Sequence, residues 1–334
     1  MRLACVLAGF GPVFFFGCAA ADPHPVLEPE AGAPKVVDAA LDAGAMQSPW
    51  ADAGNLAVVP EPDAMAPQPK TIAAQSLSVG YYEACAVKLD GTTACWGRAL
   101  FPEVPQGTLL KRIMTSVESL CGVTTEDRVR CWGNNTLGQT DAPDVAFRDV
   151  SVGGGGGCLI DLSGALQCWG TIVTVLPSPL PRLERVYLGR GDREAVCGIN
   201  AAGELMCWGQ FQVPTAGVYR FVAVGNGYGC ALDERDNITC FGGNGVGQGS
   251  PPEGITFATV SALTAYSCGL GTDERAYCWG PEAFGVTKPP AGAFSDVRVG
   301  ANFACGIRKL DQRVQCWGSN SYGQCNVPLD EGSK

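Results

Sequence analysis

The tripeptide Cys-Trp-Gly recurs along this chain at nearly constant intervals. It begins at Cys95, Cys131, Cys168, Cys207, Cys278 and Cys316, and a copy with Phe in place of Trp begins at Cys240. Successive copies lie 33 to 39 residues apart, and a period in this range is typical of proteins built from repeated supersecondary units. The chain from about residue 71 onward is therefore expected to form one domain of seven repeats, in spite of its length.

A second cysteine precedes each copy of the tripeptide by ten residues, or by eleven in the last repeat. The segment between the two cysteines is typical of a β-hairpin with a three-residue loop, which places the cysteines directly opposite each other. Opposed residues are close enough for a disulfide bond. The predicted pairs are Cys85 with Cys95, Cys121 with Cys131, Cys158 with Cys168, Cys197 with Cys207, Cys230 with Cys240, Cys268 with Cys278, and Cys305 with Cys316.

Two other interpretations of these cysteines remain. Seven pairs of buried free thiols are less favoured, because disulfides form readily in the oxidising compartments to which exported proteins are delivered. Zinc binding is disfavoured because ligand cysteines usually lie two to four residues apart, and because seven separate hairpins do not converge on one ion. Cys325 follows the last repeat and is expected to be a free buried thiol.

The hairpin loops carry residues that suit a left-handed backbone at their last position. These residues are Gly91, Asp127, Gly164, Gly203, Asp236 and Glu274, and Gly and Asp adopt that conformation more readily than most residues. Another strand precedes each hairpin, and a turn-rich segment that ends at a proline follows it. Three short strands and a fourth irregular one per repeat predict an all-β fold, a seven-bladed β-propeller over residues 71–330.

Side-chain alternation assigns the recurring Trp of the repeats to the core. In a strand the cysteine and the next residue point to opposite faces, and both faces of a propeller blade are covered by neighbouring blades. Each Trp should therefore fill one gap between blades, while the adjacent disulfide lines the next gap. The residues concerned are Trp96, Trp132, Trp169, Trp208, Trp279 and Trp317.

The N-terminal part of the chain has the composition of an export signal and a spacer. Residues 1–17 contain one arginine and an apolar run too short for a stable membrane span, which is typical of a signal peptide. Gly17-Cys18 resembles the lipobox of bacterial lipoproteins, so Cys18 is the predicted lipidation site, and cleavage after Ala20 or Ala21 is the alternative. Residues 18–70 are an acidic, Ala- and Pro-rich segment, predicted to be a disordered linker. The expected location is the cell envelope or the secreted fraction.

Charge and histidine content exclude several classes of function. The formal net charge is −10, and without a dominant basic field the sequence predicts no nucleic-acid partner. The single histidine is His24, which lies in the linker, so the repeat region has no histidine base and no imidazole metal ligand. No catalytic residue, metal site or cofactor is predicted.

Three repeats extend the tripeptide to Trp/Phe-Gly-x-Asn-x-x-Gly-Gln, at residues 132–139, 241–248 and 317–324. This pattern resembles the repeat of the regulator of chromosome condensation family, and the chain would be a secreted, lipoprotein-like bacterial member. The resemblance implies a seven-bladed propeller. It also implies several activities, among them guanine-nucleotide exchange, ubiquitin ligation and inhibition of β-lactamases. The residues that carry them lie outside the repeat motif, so none is transferred to this chain.

The favoured function is that of a non-catalytic, monomeric propeller that presents loops at the blade rim to a protein or cell-surface ligand. The only membrane contact would be an N-terminal lipid anchor. Candidate partner-binding residues are Tyr81, Tyr82, Arg98, Phe101, Arg190, Arg193, Tyr228 and Tyr266. One alternative is a glycan-active enzyme with a carboxylate pair in the central channel. The other is a guanine-nucleotide exchange factor, although an export signal conflicts with nuclear exchange activity.

Overall fold

The computed structural model of the protein describes residues 70–98, 103–116, 118–190, 195–209, 213 and 217–330. The predicted signal peptide, Cys18 and all of the predicted linker except Lys70 lie outside these residues. No helix of the described residues is long and apolar enough to cross a membrane.

Seven three-stranded antiparallel sheets make up the described chain, each from three consecutive strands. The first, or inner, strands are β1 (Ala74–Val79), β4 (Leu110–Thr115), β7 (Phe147–Gly153), β10 (Arg185–Leu188), β13 (Tyr219–Val224), β16 (Phe257–Ala262) and β19 (Phe294–Val299). The middle strands are β2 (Glu83–Lys88), β5 (Ser119–Thr124), β8 (Gly156–Asp161), β11 (Ala195–Ile199), β14 (Tyr228–Asp233), β17 (Ser267–Gly271) and β20 (Phe303–Arg308). The outer strands are β3 (Thr93–Gly97), β6 (Val129–Gly133), β9 (Leu166–Gly170), β12 (Leu205–Gly209), β15 (Ile238–Gly242), β18 (Ala276–Trp279) and β21 (Val314–Gly318). Blades 1 to 7 are numbered in this order.

The hairpin between the middle and outer strands has the predicted geometry. The last loop residue has a positive φ in every blade, from 57° at Asp127 to 84° at Gly164, and Gln312 takes this position in the longer seventh loop with φ 57°. The register places each cysteine opposite its partner. The seven predicted disulfides are present, with Cα–Cα separations of 4.0 to 4.1 Å. Cys325 is a free, half-buried thiol.

The apolar core consists of seven clusters, and each cluster lies between two consecutive blades. Every cluster combines cysteine side chains of one blade with the Trp or Phe of the next blade, as Cys121 and Cys131 do with Trp169. In the cluster between blades 1 and 2, Cys85 alone takes part, with Trp132. The last cluster joins Cys305 and Cys316 of blade 7 to Trp96 of blade 1, so the series closes on itself. The predicted all-β, seven-bladed propeller with one cross-strand disulfide per blade is confirmed.

Tryptophan burial is less uniform than the sequence predicts. Trp96, Trp169, Trp279 and Trp317 are buried, at 5 to 9% exposure, but Trp132 and Trp208 are only half-buried. Each buried indole donates a hydrogen bond to a backbone carbonyl in the outer turn of the preceding blade. The acceptors are Gln324 (3.0 Å), Gln139 (3.0 Å), Gln248 (2.8 Å) and Val286 (2.9 Å), respectively.

The physical reason lies in the turn of the preceding blade. Three of the four acceptors belong to blades that carry the full Asn-x-x-Gly-Gln motif, whereas blades 1 and 3, which precede Trp132 and Trp208, lack it. Among the described residues, the indoles of Trp132 and Trp208 have no hydrogen-bond partner. The copy with Phe241 follows blade 4, which also lacks the motif, so an aromatic residue without an N–H group stands where no such carbonyl acceptor is expected.

The two ends of the propeller sequence meet in blade 7. Thr71 pairs with Leu329 and Ala73 pairs with Arg313 in isolated antiparallel bridges. The N–H of Ile72 donates to the Pro328 carbonyl (3.0 Å), and the Ile72 carbonyl accepts from Val314 (3.0 Å). The ring is therefore closed by hydrogen bonds between the first and last residues of the domain. A fourth, irregular strand per repeat was also predicted. The described segments that follow the outer strands instead form turns and two short 3₁₀ helices, Thr171–Val175 and Ala283–Gly285, apart from the isolated bridge at Leu329.

Candidate functional site

The loops of the propeller emerge on two opposite ends of the strands. One end, called the hairpin face, carries the loops between the middle and outer strands, such as residues 309–313. The other end, called the turn face, carries the loops between the inner and middle strands and the turns that follow the outer strands. Tyr81 and Tyr82 lie on the turn face, in the loop between β1 and β2.

A buried carboxylate organises the loop that carries these two tyrosines. Glu83 is 7% exposed, and its two oxygens accept hydrogen bonds from the N–H groups of Tyr81 and Tyr82, each at 2.9 Å. Burial raises the pKa of Glu83, although the two N–H groups and the nearby Arg98 oppose the change. Gly80 is packed so closely against the Glu83 side chain that an added Cβ would lie 1.8 Å from a carboxylate oxygen. The loop is therefore fixed by its own sequence.

Tyr82, Arg98 and Tyr322 form a contact group on the turn face, which we call the seam cluster because it spans the junction of blades 7 and 1. The rings of Tyr82 and Tyr322 lie 5.0 Å apart between centroids. The Arg98 guanidinium carbon lies 5.9 Å from the Tyr82 ring centre and 5.6 Å from that of Tyr322, within the range of cation–π attraction. The Arg98 N–H also donates to the Tyr82 carbonyl (3.0 Å). Tyr81 extends the group, with its ring 6.3 Å from that of Tyr82.

Tyr322 is presented by the Asn-x-x-Gly-Gln turn of blade 7. The Asn320 side-chain oxygen accepts from the Cys325 N–H (2.8 Å), and the Gln324 side-chain oxygen accepts from the Tyr322 N–H (2.7 Å). Gly323 takes a positive φ of 75°. Because the two amide side chains turn inward, the residue between them points outward, and Tyr322 is 51% exposed. The same turns in blades 2 and 5 expose Leu137 and Val246 at 60% and 50%.

The structure brings together three of the predicted partner-binding residues and separates the others. Tyr81, Tyr82 and Arg98 lie in or beside the seam cluster, whereas Phe101 and Arg193 lie outside the described residues. Arg190 reaches into the central channel, where it donates a hydrogen bond to the Val79 carbonyl (3.0 Å). Tyr322 was missed, although its place in the turn motif was a signal that could have identified it.

Tyr228 and Tyr266 were wrongly predicted to be surface residues. Tyr228 is fully buried and its hydroxyl donates to the Tyr266 carbonyl (2.7 Å), and Tyr266 is 1% exposed. Each tyrosine precedes the first cysteine of its blade by two residues, the position that Ala195 and Phe303 occupy in other blades. The next blade covers the side chain at this position. Alignment of the repeats on that cysteine would have placed both tyrosines in the core.

The inner strands line a central channel. In each inner strand, one side-chain position lies opposite the first cysteine of the middle strand and another lies two residues earlier. Residues at these positions that line the channel include Arg112, Asp149, Ser151, Asp296 and Arg298. Ser78 and Ser151 at the first of these positions accept hydrogen bonds from the N–H groups of Thr115 (2.9 Å) and Leu188 (3.0 Å) in the next blade. Asp149 does the same for Val186 (2.9 Å). Polar side chains thus satisfy the edge N–H groups that an inner strand leaves without a strand partner.

Charged side chains also meet in the channel. Asp296 pairs with Arg298 in the same strand, with 3.0 Å between carboxylate oxygen and Nε. Burial raises the pKa of Asp149. The hydrogen bond from the Val186 N–H and the nearby positive charge of Arg112 lower it, and so offset part of this rise. Among the described residues, no group of three Cys, His, Asp or Glu side chains is placed to hold a metal ion.

Comparisons with known proteins agree with this architecture. Residues 294–324 match the model of the regulator of chromosome condensation (RCC1) repeat. The ectodomain of the receptor kinase CR4 from Physcomitrella patens is 22% identical, with a TM-score of 0.62 and coverage of 74% of each chain. The CRINKLY WD40 ectodomain of the receptor kinase ACR4 from Arabidopsis thaliana is 21% identical, with a TM-score of 0.62 over 78% of this chain and 100% of that one.

Prp20p from Saccharomyces cerevisiae has a similar fold at 15% identity. Its TM-score is 0.57, over 71% of this chain and 83% of Prp20p. A search of curated protein sequences found no match.

Proposed function

The chain is an RCC1-like seven-bladed propeller, and we propose that it is an exported, non-catalytic binding module that contacts a protein ligand through the seam cluster. The observation that carries the proposal is the surface group in which the half-buried Tyr82 contacts the exposed Arg98 and Tyr322. Tyrosine and arginine are enriched at the energetic centres of protein interfaces. The similarity to receptor ectodomains supports the same class of role for this fold.

The chemistry of the seam cluster defines the ligand it would accept. Two tyrosine rings offer apolar area with few rotatable bonds, and Arg98 offers donors that suit a carboxylate. Because the buried Glu83 fixes the loop of Tyr82, little ordering cost is expected on binding. The partner surface should therefore present an acidic side chain beside an apolar one.

Export and anchoring belong to the same proposal. Seven disulfides and the ectodomain-like fold support an oxidising location outside the cytosol. Lipid attachment at Cys18 would tether the domain through residues 18–70. Mass analysis of the N-terminal peptide of the mature chain, compared between the natural protein and a Cys18→Ser variant, tests the anchor. A mature chain that begins after Ala20 or Ala21 without lipid would contradict it.

The binding test uses crosslinking from a defined position. A benzophenone side chain in place of Tyr322 should capture a protein partner in its native environment, and the same group in place of Leu310 should not. Leu310 is 95% exposed and lies on the hairpin face. The captured protein, once purified, should bind the full chain, and Arg98→Ala and Tyr322→Ala should each weaken binding by about 2 kcal/mol or more. Equal binding by these variants and by Leu310→Ala would refute the seam cluster as the interface.

The channel offers less support to the glycan-active alternative. Acid–base hydrolysis of a glycoside uses two carboxyl groups on either side of the bond. In the described channel, however, Asp296 is paired with Arg298 and Asp149 accepts a backbone hydrogen bond. Both carboxylates already have structural partners, so a binding role is the better explanation of the site. No observation favours the nucleotide-exchange alternative.

A further inference from the structure

Three arginines from three different blades meet in the central channel. Two adjoining cavities of about 160 Å³ and 240 Å³ are both lined by Arg112 of β4, by Arg298 of β19 and by Arg190, which follows β10. The inner strands bring these residues together although they are far apart in sequence. No property of the seam cluster is involved, because the channel is lined by a separate set of side chains.

The three guanidinium groups are only partly compensated by the protein. Arg298 is paired with Asp296 at 3.0 Å, and Arg190 donates to one backbone carbonyl, that of Val79. The guanidinium of Arg112 forms neither a hydrogen bond nor an ion pair with any residue that the structure describes. Arg112 nevertheless remains accessible to water within the channel. Donors are therefore directed at a space that the protein itself leaves unfilled.

The charge balance of the channel is opposite to that of the chain. The charged residues that line the two cavities are four cations (Lys111, Arg112, Arg190 and Arg298) and two carboxylates (Asp149 and Asp296). Lys111 is paired with Asp127, which lies outside the cavities, at 2.7 Å. The remaining net charge is +1, in a chain of net charge −10. Burial, and then the proximity of Arg298 and Arg112, lowers the pKa of Arg190 to about 10. Arginine remains protonated at neutral pH even so, and the repulsion persists without an anion.

We propose that the channel binds a doubly charged tetrahedral oxyanion, inorganic phosphate or a phosphate monoester, between Arg112, Arg190 and Arg298. Guanidinium groups bind phosphate oxygens through paired N–H donors. An anion with charges and oxygens in several directions can engage three such groups, whereas one planar carboxylate offers only two oxygens. The net positive charge of the channel also favours an anion over a neutral ligand.

The test is a titration of the full chain with inorganic phosphate. Chloride is lowered as phosphate is added, so that the ionic strength stays constant. It is done at about pH 8, above the second pKa of a phosphate monoester, which is about 6. Binding is measured by calorimetry and by the rise in unfolding temperature, which a ligand specific for the folded state must produce. We expect saturable binding by the natural chain. Arg112→Gln should weaken it by about 10- to 100-fold, the effect of losing hydrogen bonds to a charged group.

Two controls separate the site from general electrostatics. Arg182→Gln removes one exposed arginine outside the channel and should leave phosphate binding unchanged. Without phosphate, Arg112→Gln should change the unfolding temperature little. Arg112 has no hydrogen bond or ion pair to lose, and the loss of its attraction to Asp149 is offset by relief of its repulsion from Arg298 and Arg190. Failure of the natural chain to bind phosphate, or equal binding by the natural chain and Arg112→Gln, would overturn the proposal.

Comparison of anions identifies the source of the bound group. Stronger binding of glycerol 3-phosphate than of inorganic phosphate would indicate a phosphorylated ligand, and the reverse would indicate the free ion. Acetate that binds as tightly as phosphate would overturn the assignment to a tetrahedral dianion. Loss of partner binding at the seam cluster would not affect any of these results, so the two proposals fail independently.

Discussion

The hydrogen bond from a tryptophan to the turn of the preceding blade leads to a quantitative prediction. Trp169 and Trp132 occupy the same position in consecutive blades, but only Trp169 is buried, at 5% exposure, and donates to the Gln139 carbonyl at 3.0 Å. Replacement of each by Phe keeps an aromatic ring and removes the indole N–H. The two variants therefore differ mainly in whether a buried carbonyl loses its donor.

The expected costs follow from that difference. In Trp169→Phe, the loss of the N–H leaves a buried acceptor unsatisfied, which costs about 1–3 kcal/mol, and the smaller ring adds a cavity. In Trp132→Phe, the half-buried indole has no described acceptor, so the free energy of unfolding should fall by less than about 1 kcal/mol, as for exposed substitutions. Trp132→Ala should also cost less than Trp169→Ala, for which about 3–5 kcal/mol is expected.

Urea denaturation with the disulfides intact, followed by far-ultraviolet circular dichroism, measures these costs. This signal comes mainly from the backbone, and the unfolding midpoint does not require a substituted indole as the probe. Phe241→Trp is the reciprocal control, because it adds an N–H in a blade that follows a turn without the motif, and it should not stabilise the fold. If Trp132→Phe destabilises the protein as much as Trp169→Phe does, the turn carbonyl is not the reason for the difference in burial.

Other parts of the structure lead to three further predictions. Glu83→Gln should lower the free energy of unfolding by about 1–3 kcal/mol. The N–H₂ group of glutamine is a donor, and it would face one of the two backbone N–H groups, which then loses its acceptor. Since burial raises the pKa of Glu83 above its unfolded value, the stability of the natural chain relative to this variant should fall as the pH rises from the ordinary glutamate range through the raised pKa. A pH-independent difference would show that Glu83 does not titrate in this way. Ser78→Ala should cost about 1–3 kcal/mol, because the buried Thr115 N–H loses its acceptor, whereas the exposed Ser295→Ala should be nearly neutral in the same urea assay. Replacement of both Cys85 and Cys95 by Ala should cost no more than about 3 kcal/mol, since the disulfide closes a short loop, and complete loss of folding would contradict this estimate.

Much of the architecture could be predicted because it repeats. The ten-residue spacing of Cys85 and Cys95 specifies a hairpin, and side-chain alternation then places the disulfide and the next residue on opposite faces of the blade. Those two facts, applied seven times, predict the clusters between blades. Burial of Trp132 could not be predicted from its own repeat, because it depends on the turn of the blade before it.

The candidate sites were harder to predict, because they combine residues that are distant in sequence. Tyr82 and Arg98 were identified by residue type, but their contact with Tyr322 depends on ring closure, which brings blade 7 beside blade 1. Arg112 and Arg298 lie in inner strands whose alternation resembles that of a buried strand, and Arg190 follows one shortly after its end. Arg190 was therefore assigned to the rim, although the ring arrangement directs it into the channel.

The turn motif explains why a regular scaffold can hold a distinctive surface. In blades 2, 5 and 7, the Asn and Gln side chains form hydrogen bonds with the backbone of the turn. The backbone carbonyl of the same Gln accepts a hydrogen bond from the tryptophan indole of the next blade. These bonds fix the turn while the residue between them remains exposed, so Leu137, Val246 and Tyr322 can differ without loss of the core. Only the third of these residues meets an arginine and a second aromatic ring from the adjoining blade. Where blade 7 meets blade 1, the turn of blade 7 therefore forms part of a surface that is both aromatic and cationic. This supports the seam cluster, rather than the turns of blades 2 and 5, as the ligand contact.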